Sequence, residues 1–256
     1  KADIPVTTGN SYSASGALWA AADAVRRMGL IKVENGKKIK AKTMVFGATG
    51  AIGSVCCRLL AKAFKEVCMV GRNPAKLLAL KEAVLQEDPD VNVRMSTNPE
   101  KFLKDMDLIV TATSGAGKAI LDIMKVKPGC VITDVARPLD LSPEDGATRP
   151  DVLVIESGEI ELPGNPEMKN IGLPPKVVYA CLAETIVLAL EGRFEVFTIG
   201  RDIEWEKVRE IYKMGLKHGM KLAAISGVNG VFTDEDIDKV RELALKEIKK
   251  LRNNKS

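Results

Sequence analysis

Short apolar runs alternate along this chain with longer stretches in which apolar residues recur every three or four positions. That alternation is the pattern of a parallel sheet wrapped by helices. Met44–Phe46, Val67–Gly71, Asp107–Ser114, Cys130–Asp134 and Val152–Glu156 read as strands. Before them, Ala14, Leu18, Ala21, Val25 and Met28 share one helical face, with Asn10 or Ser11 expected to cap the helix and Gly29 to close it. Ser54 to Lys65 reads as a helix between the first two strands. From Glu159 to Pro175 four prolines and two glycines predict a loop without regular structure. Helices are then expected with Val177, Val178, Cys181, Leu182, Ile186, Ala189 and Leu190 on an apolar stripe, and from Glu204 to Leu222. A last helix, from Thr233 to Leu251, opens with a Thr233–Asp236 box and carries Ile237, Val240, Ala244, Ile248 and Leu251 on one face. The expected fold class is α/β, a doubly wound, mostly parallel sheet flanked by N- and C-terminal helices. Its parts are residues 1–40 (a helix and substrate-side loop), 41–175 (the sheet domain) and 176–256 (helices packing back on it).

One junction carries chemistry. The strand ending at Phe46 runs into Gly47, Gly50 and Gly53, spaced three apart, and then into a helix. In a dinucleotide-binding (Rossmann) turn the first glycine permits the tight turn, the second lets backbone approach a pyrophosphate, and the third lets helix pack on strand. The helix start offers free N–H groups to the anion, so Gly47, Thr49, Gly50, Ala51, Ile52 and Gly53 are the expected phosphate-binding residues; the alternative is an ordinary strand–helix turn. No carboxylate lies between Val67 and Lys76, where an NAD site would hold the ribose hydroxyls. Arg72, Asn73 and Lys76 stand there instead, which favours the 2′-phosphate of NADP(H) over solvated surface charge. Thr113, at the end of the Asp107–Ser114 strand, joins the expected cofactor contacts. Ligands in such sheets sit beyond the carboxyl ends of strands, which puts Thr113, Ser114, Asp134, Arg137, Ser157 and Gly158 on the functional edge.

The bulk numbers exclude more than they specify. The chain has 256 residues, 46% hydrophobic and 28% charged, with a formal net charge of +4. Aromatics make up only 4%, which argues against a base-stacking surface, so no nucleic acid is expected as partner. No apolar run reaches the length of a membrane span, and stable membrane insertion is not expected. Five cysteines without framework spacing read as reduced thiols of a cytoplasmic protein. With one histidine in the chain, His218, neither a histidine-based metal site nor a Ser-His-Asp triad is expected. The chain opens on Lys1, not Met, and an N-terminal portion is expected to be missing.

Cys181 is the thiol to weigh. It falls in the first turns of an expected helix, where the helix N-terminus favours a thiolate, yet also on an apolar stripe, where an unpaired cysteine is usually core. Several separated segments tip that balance: Thr7-Thr-Gly-Asn10, Gly47-Ala-Thr-Gly-Ala-Ile-Gly-Ser54, Cys57-Arg58, Arg72-Asn73, Tyr179-Ala-Cys181-Leu-Ala-Glu184, Gly200-Arg201 and Lys217-His218-Gly219. In order and spacing, over most of residues 5 to 221, they resemble the aldehyde-forming fatty acyl-(acyl carrier protein) reductases; a more distant similarity is to NADP-binding domains of shikimate dehydrogenase type. The first resemblance implies that Cys181 takes an acyl chain from acyl carrier protein or coenzyme A as a thioester, and that NADPH then releases a fatty aldehyde. Ser114, Thr8 and Asn10 are candidate oxyanion donors, each also suited to a cap or turn. His218 is carried over in its Lys-His-Gly context, although a mid-helix histidine more often packs or caps. One departure matters: where the family has Asn-Gly-Gly running to Glu-His, this chain has Glu156-Ser-Gly158-Glu-Ile-Glu161-Leu162, without the histidine. The competing readings are a shikimate/quinate-type or one-carbon NADP dehydrogenase without covalent intermediate, and a non-catalytic NADP(H)-binding sensor or partner subunit. A homo-oligomer is compatible with all three.

Overall fold

A computed structural model describes residues 3–114, 120–227 and 230–254. Gly115 to Gly117, a glycine-rich stretch that the sequence suggests is a loop after the Asp107–Ser114 strand, lie outside the described residues. The chain begins with α1 (Asn10–Met28), then β1 (Ile39–Phe46), α2 (Ala51–Ala63), β2 (Phe64–Val70), α3 (Pro74–Glu87) and β3 (Asn92–Ser96). It continues through β4 (Leu108–Thr111), β5 (Val131–Asp134), α4 (Pro143–Ala147), β6 (Leu153–Glu156), β7 (Glu159–Glu161), β8 (Val177–Tyr179) and α5 (Ala180–Leu190). Then come α6 (Trp205–Lys217), β9 (Lys221–Leu222), β10 (Ser226–Gly227), β11 (Gly230–Val231) and α7 (Asp234–Asn253).

The main sheet has the order β11-β10-β6-β5-β4-β1-β2-β3. From β3 to β6 every neighbour pairs parallel, while β10 adds antiparallel to β6 and to β11. Read from the β3 edge, the parallel part runs 3-2-1-4-5-6, the dinucleotide-binding order, and reverses between β1 and β4. Both faces of the central strands β4 and β5 and of the second half of β1 are buried, as interior parallel strands require. The helices α1, α2, α6 and α7 contribute to one core layer around Val45, Val67 and Val110. The opposite core, around Met44, Cys68 and Ile109, is covered by short 3-10 turns at Glu100–Asp105 and Ile123–Lys125 and by the segment around Leu141. A buried pair, Arg149 and Asp151, bonded twice at 2.7 Å, pins that second layer, because the same guanidinium donates to the carbonyls of Ile123, Met124 and Val126.

Several expectations need correction. Gly9, in a left-handed conformation, is the N-cap of α1, so neither Asn10 nor Ser11 caps it; Gly29 does close it, its N–H reaching the Val25 carbonyl at 3.1 Å. β3, with one buried position among polar ones, carries too weak a pattern to be read. The proline-rich stretch is not free of regular structure: β7 opens it and β8 follows it, and with β9 they form a second antiparallel sheet, order β8-β7-β9. Val177 and Val178 therefore belong to a strand, not to the α5 stripe, and α6 stops at Lys217 rather than Leu222. The Thr233–Asp236 capping box is formed in both directions, and Ile237 and Ala244 are buried on α7, although Leu251 stays half exposed.

Asp134, at the end of β5, is almost fully buried and accepts from the N–H groups of Ala136, Asp140 and Leu141 at 3.0, 2.7 and 3.1 Å. Burial pushes its carboxyl up from 3.8 to about 6, against the pull of those N–H donors. A folded-state value raised above the unfolded one means that this group favours folding while protonated, and that the contribution is lost as pH rises from about 4 through about 6. Asp134→Asn should therefore gain on the wild type over that interval, by on the order of 2 kcal/mol. Urea unfolding of both proteins between pH 4 and 7 checks this, and a difference that stays constant with pH would contradict it.

Candidate functional site

The loop from Gly47 to Gly50 joins β1 to α2 at the point where strand order reverses. Gly47 has φ 73°, and a Cβ there would lie 2.4 Å from the Ala112 carbonyl oxygen on β4's far end. Gly53 packs so closely that a Cβ would meet the Gly47 oxygen at 2.1 Å. Gly50 donates to that same oxygen at 2.8 Å, closing the turn, and a Cβ there would sit 3.2 Å from it, tighter than an ordinary contact. Among the described residues no acceptor meets the N–H groups of Ala51, Ile52 or Gly53, the first three of α2. Such a cradle fits a pyrophosphate. Thr49, half-buried, sets its methyl near Gly71 at the end of β2. Beyond Gly71, Arg72 and Lys76 are exposed, and among the described residues neither is in an ion pair. Asn73 caps α3, its side chain accepting from the Lys76 N–H at 3.1 Å.

Away from this loop, the carboxyl ends of β4, β5 and β6 line up in order. After β4, Thr113 bonds Asp140 through both its N–H (2.9 Å) and its hydroxyl, and Ser114 is exposed. After β5, the Arg137 guanidinium donates to the Ser157 carbonyl at 3.2 Å and lies 3.8 and 3.7 Å from Glu156 and Glu159. It also sits 5.9 Å from the Tyr179 ring centre. Burial raises the Glu159 carboxyl, and the guanidinium opposes that shift. After β6, the Gly158 carbonyl accepts from the Ala180 N–H at 2.7 Å, fixing the first turn of α5 to the sheet edge. From β1 to β6 is three strand spacings, about 14 Å.

Cys181 is the second residue of α5 and it is exposed, while Cys56, Cys57, Cys68 and Cys130 are buried. Its placement on the apolar stripe is corrected: the buried side of α5 is Ala180, Ala183, Glu184, Val187 and Leu188, and Cys181 and Leu182 face outward. Burial raises the other four thiols, Cys56 to about 12 and Cys68 to about 11, which keeps them protonated. Gly9 lies directly against Cys181; a Cβ at Gly9 would come within 2.3 Å of the Cys181 Cα. Thr8 and Asn10, its chain neighbours, are candidates to stand near the cysteine on that account. The Thr8 hydroxyl is turned to the Thr198 carbonyl at 3.3 Å, and Asn10 is the first residue of α1.

Glu184, completely buried one turn after Cys181, organises this strap. Its carboxylate accepts from the Tyr12 N–H at 3.0 Å, the Thr198 hydroxyl at 2.7 Å and the Thr7 hydroxyl. Thr8 adds a backbone bond to the Thr198 carbonyl at 2.9 Å. The sequence held a signal for this residue: a lone acid among Ala180, Ala183 and Val187 on one stripe. His218, in contrast, is not brought to the cysteine. It is the C-cap of α6, not mid-helix, and its Nε2 lies 2.5 Å from Glu191, the C-cap of α5. The ten residues from Cys181 to Glu191 span about 15 Å of helix. An open groove of about 560 Å³ between Thr97, Glu100, Leu121, Asp122 and Thr148 shares no residue with either the glycine loop or Cys181.

Residues 30–156 match the shikimate/quinate 5-dehydrogenase family. The match covers the glycine loop and the parallel strands and ends before Gly158, Cys181 and Glu184. Two relatives extend further along the chain. An aminotransferase, PigE, of Serratia sp. is 30% identical over 96% of this chain and 28% of its own length. The long-chain acyl-[acyl-carrier-protein] reductase of Synechococcus elongatus is 26% identical over 86% of this chain and 62% of its own length. The chain thus spans under two thirds of either relative. Among solved structures, quinate dehydrogenase from Corynebacterium glutamicum aligns over 78% of this chain and 61% of its own, with 13% identity and a TM-score of 0.43. Dipicolinate synthase A chain from Bacillus subtilis aligns over 58% and 45%, with 16% identity and the same score.

The contact between Gly9 and Cys181 gives a direct test. Gly9→Ala adds a positive-φ penalty and a collision with main-chain and stem atoms that cannot rotate away. Gly36 has the same φ of 73° with open space around it, so Gly36→Ala carries the conformational cost alone. Gly9→Ala should cost about 1–3 kcal/mol more than Gly36→Ala in urea unfolding, and should make Cys181 react faster with a maleimide as the strap lifts. Equal costs and unchanged thiol reactivity would contradict the contact.

Proposed function

We propose that this chain is an NADP(H)-dependent oxidoreductase that reduces acyl thioesters to aldehydes through a thioester on Cys181. The observation that carries the reading is the exposed Cys181 at the start of α5, tied through Ala180 and Gly158 to the sheet edge that the glycine loop also faces. A purely structural cysteine has no reason to stand at that edge under a fixed backbone strap while every other thiol is buried. Gly47, Thr49, Gly50, Ala51, Ile52 and Gly53 would hold the pyrophosphate, and Arg72 and Lys76 the 2′-phosphate, with Asn73 ordering the helix that carries Lys76. Thr113, locked on Asp140, and Ser114 form the wall beyond. When bound, NADPH supplies hydride to the acyl carbonyl carbon.

The protein's own part starts with the Cys181 thiolate. Its sulfur adds to the thioester carbonyl, a new C–S bond forms, and the carrier leaves with the electron pair of the old C–S bond as its thiolate. After reduction the carbon–Cys181 bond breaks, its pair returns to sulfur, and the aldehyde departs. Cys181 is thereby regenerated as thiolate, ready for the next acyl group. The reading agrees with the similarity to the Synechococcus acyl reductase. The Serratia relative bears an aminotransferase's name, and aldehydes are substrates for amino-group transfer, so that similarity is compatible with it too. The placement of His218 at the far end of α5 favours no catalytic role for it. A second reading, a hydroxy-acid dehydrogenase without covalent intermediate, is favoured by the family match over residues 30–156. That match concerns the nucleotide half alone and is shared by both readings.

Two measurements test the proposal. Aldehyde formation from a long-chain acyl-coenzyme A and NADPH should fall about a thousandfold or more in Cys181→Ser, with NADPH affinity kept within about threefold. Retained turnover would move the assignment to the dehydrogenase. Arg72→Ala and Lys76→Ala should each weaken NADPH about 10- to 100-fold, the loss of one charge-assisted hydrogen bond, and leave NADH binding nearly unchanged; equal weakening of both nucleotides would remove the 2′-phosphate assignment.

A further inference from the structure

Glu184 is an expensive residue where it stands. Its side chain is wholly buried beside the core of Tyr12, Ile160, Val178, Ala183 and Val187, and among the described residues no cation pairs with it. Burying an acid without a cation carries a desolvation cost that its hydrogen bonds must offset. The carboxylate is held instead by three donors from two distant segments, Thr7 and Tyr12 on one side and Thr198 on the other. All three converge one helical turn from Cys181, and the strap they hold places Gly9 on the cysteine. Because the carboxylate takes the Tyr12 N–H and the Gly9 carbonyl takes the Ser13 N–H at 3.1 Å, the N–H groups of Asn10 and Ser11 are left without an acceptor among the described residues. In the same turn the Ser11 hydroxyl is buried and without a hydrogen-bond partner in that set.

We infer that Glu184 is the positioning residue of the Cys181 site: it locks the Thr7–Gly9 strap so that donors of the first turn of α1 stand ready for the oxyanion formed when the thiolate attacks an acyl thioester. This rests on the proposed acyl-transfer function. In that step the Cys181 sulfur–carbon bond forms as the carbonyl π pair moves onto oxygen. The pair then returns as the carrier thiolate leaves, with no net oxidation and no cofactor. Glu184 touches none of these atoms. Its carboxylate, one turn from the sulfur, does not itself favour a thiolate, so its value to the reaction lies in the fixed geometry.

The test separates attack on a carbonyl from simple thiol reactivity. Without NADPH, acylation of Cys181 by a long-chain acyl-coenzyme A is followed by intact-protein mass, and alkylation of the same thiol by iodoacetamide in parallel. Alkylation builds no oxyanion. Glu184→Gln and Thr198→Val should each slow acylation about tenfold or more while alkylation stays within about twofold or quickens. Thr198→Val leaves the carboxylate in place and serves where Glu184→Gln proves unstable. Acylation at the wild-type rate in both variants would overturn the inference while leaving the cysteine mechanism intact. An equal slowing of acylation and alkylation would also overturn it, since Glu184 would then only keep the thiol accessible. A wild-type protein that alkylates but never acylates would remove the acyl-transfer function itself, and the role of Glu184 with it.

Discussion

The carboxylate of Glu184 ties together parts of the chain that lie far apart in sequence. Thr7 and Tyr12 precede the whole sheet and Thr198 follows α5, yet all three hydrogen bond to this one buried group. Remove it and the Tyr12 N–H loses its acceptor inside a packed core, which costs more than the bond itself was worth. With it in place the strap has one position, and that position puts Gly9 on the Cys181 backbone. Only glycine can serve there, because the φ is left-handed and there is no room for a Cβ. The exposed thiol and the anchor beneath it are thus two faces of one constraint, with Glu184 on the buried side of α5 and Cys181 on the open one.

The other half of the candidate site is governed by close backbone approach rather than by charge. Gly53 rests on the Gly47 carbonyl and Gly47 rests against β4, so α2 can start flush with the sheet and leave its first N–H groups outward. The sheet order then sets direction. Strands β4, β5 and β6 step away from the reversal point, and the last of them reaches α5 through the Gly158–Ala180 hydrogen bond. Glycine loop and cysteine are thereby placed on the same edge by topology alone.

How much of this was legible in the sequence follows from how local each signal is. The glycine triplet, the strands β1, β2, β4, β5 and β6, and the α7 capping box are all written in neighbouring residues. Asn73 and Lys76 were legible as positions, though not the cap that links them. What was hidden depends on tertiary partners. β7, β8 and β9 are two or three residues long and exist because each supplies the others' hydrogen bonds. α5 is apolar nearly all round, so its pattern could not tell the buried side from the open one, and Cys181 was placed on the wrong face. His218 looked like part of a site only because of its sequence context; its partner, Glu191, lies 27 residues away in the chain and closes another helix. Two of the three partners of Glu184 are 172 and 177 residues upstream and the third is 14 downstream, beyond any local pattern.

The most direct test of the central claim is a count of the carrier thiol released when the protein meets a long-chain acyl-coenzyme A in the absence of NADPH. A covalent route through Cys181 predicts a rapid burst approaching one equivalent of free coenzyme A per chain, then a stop until NADPH is added. No release before NADPH, from protein whose Cys181 still reacts with a maleimide, would contradict it, and the cysteine would then be a bystander to hydride chemistry at the sheet edge.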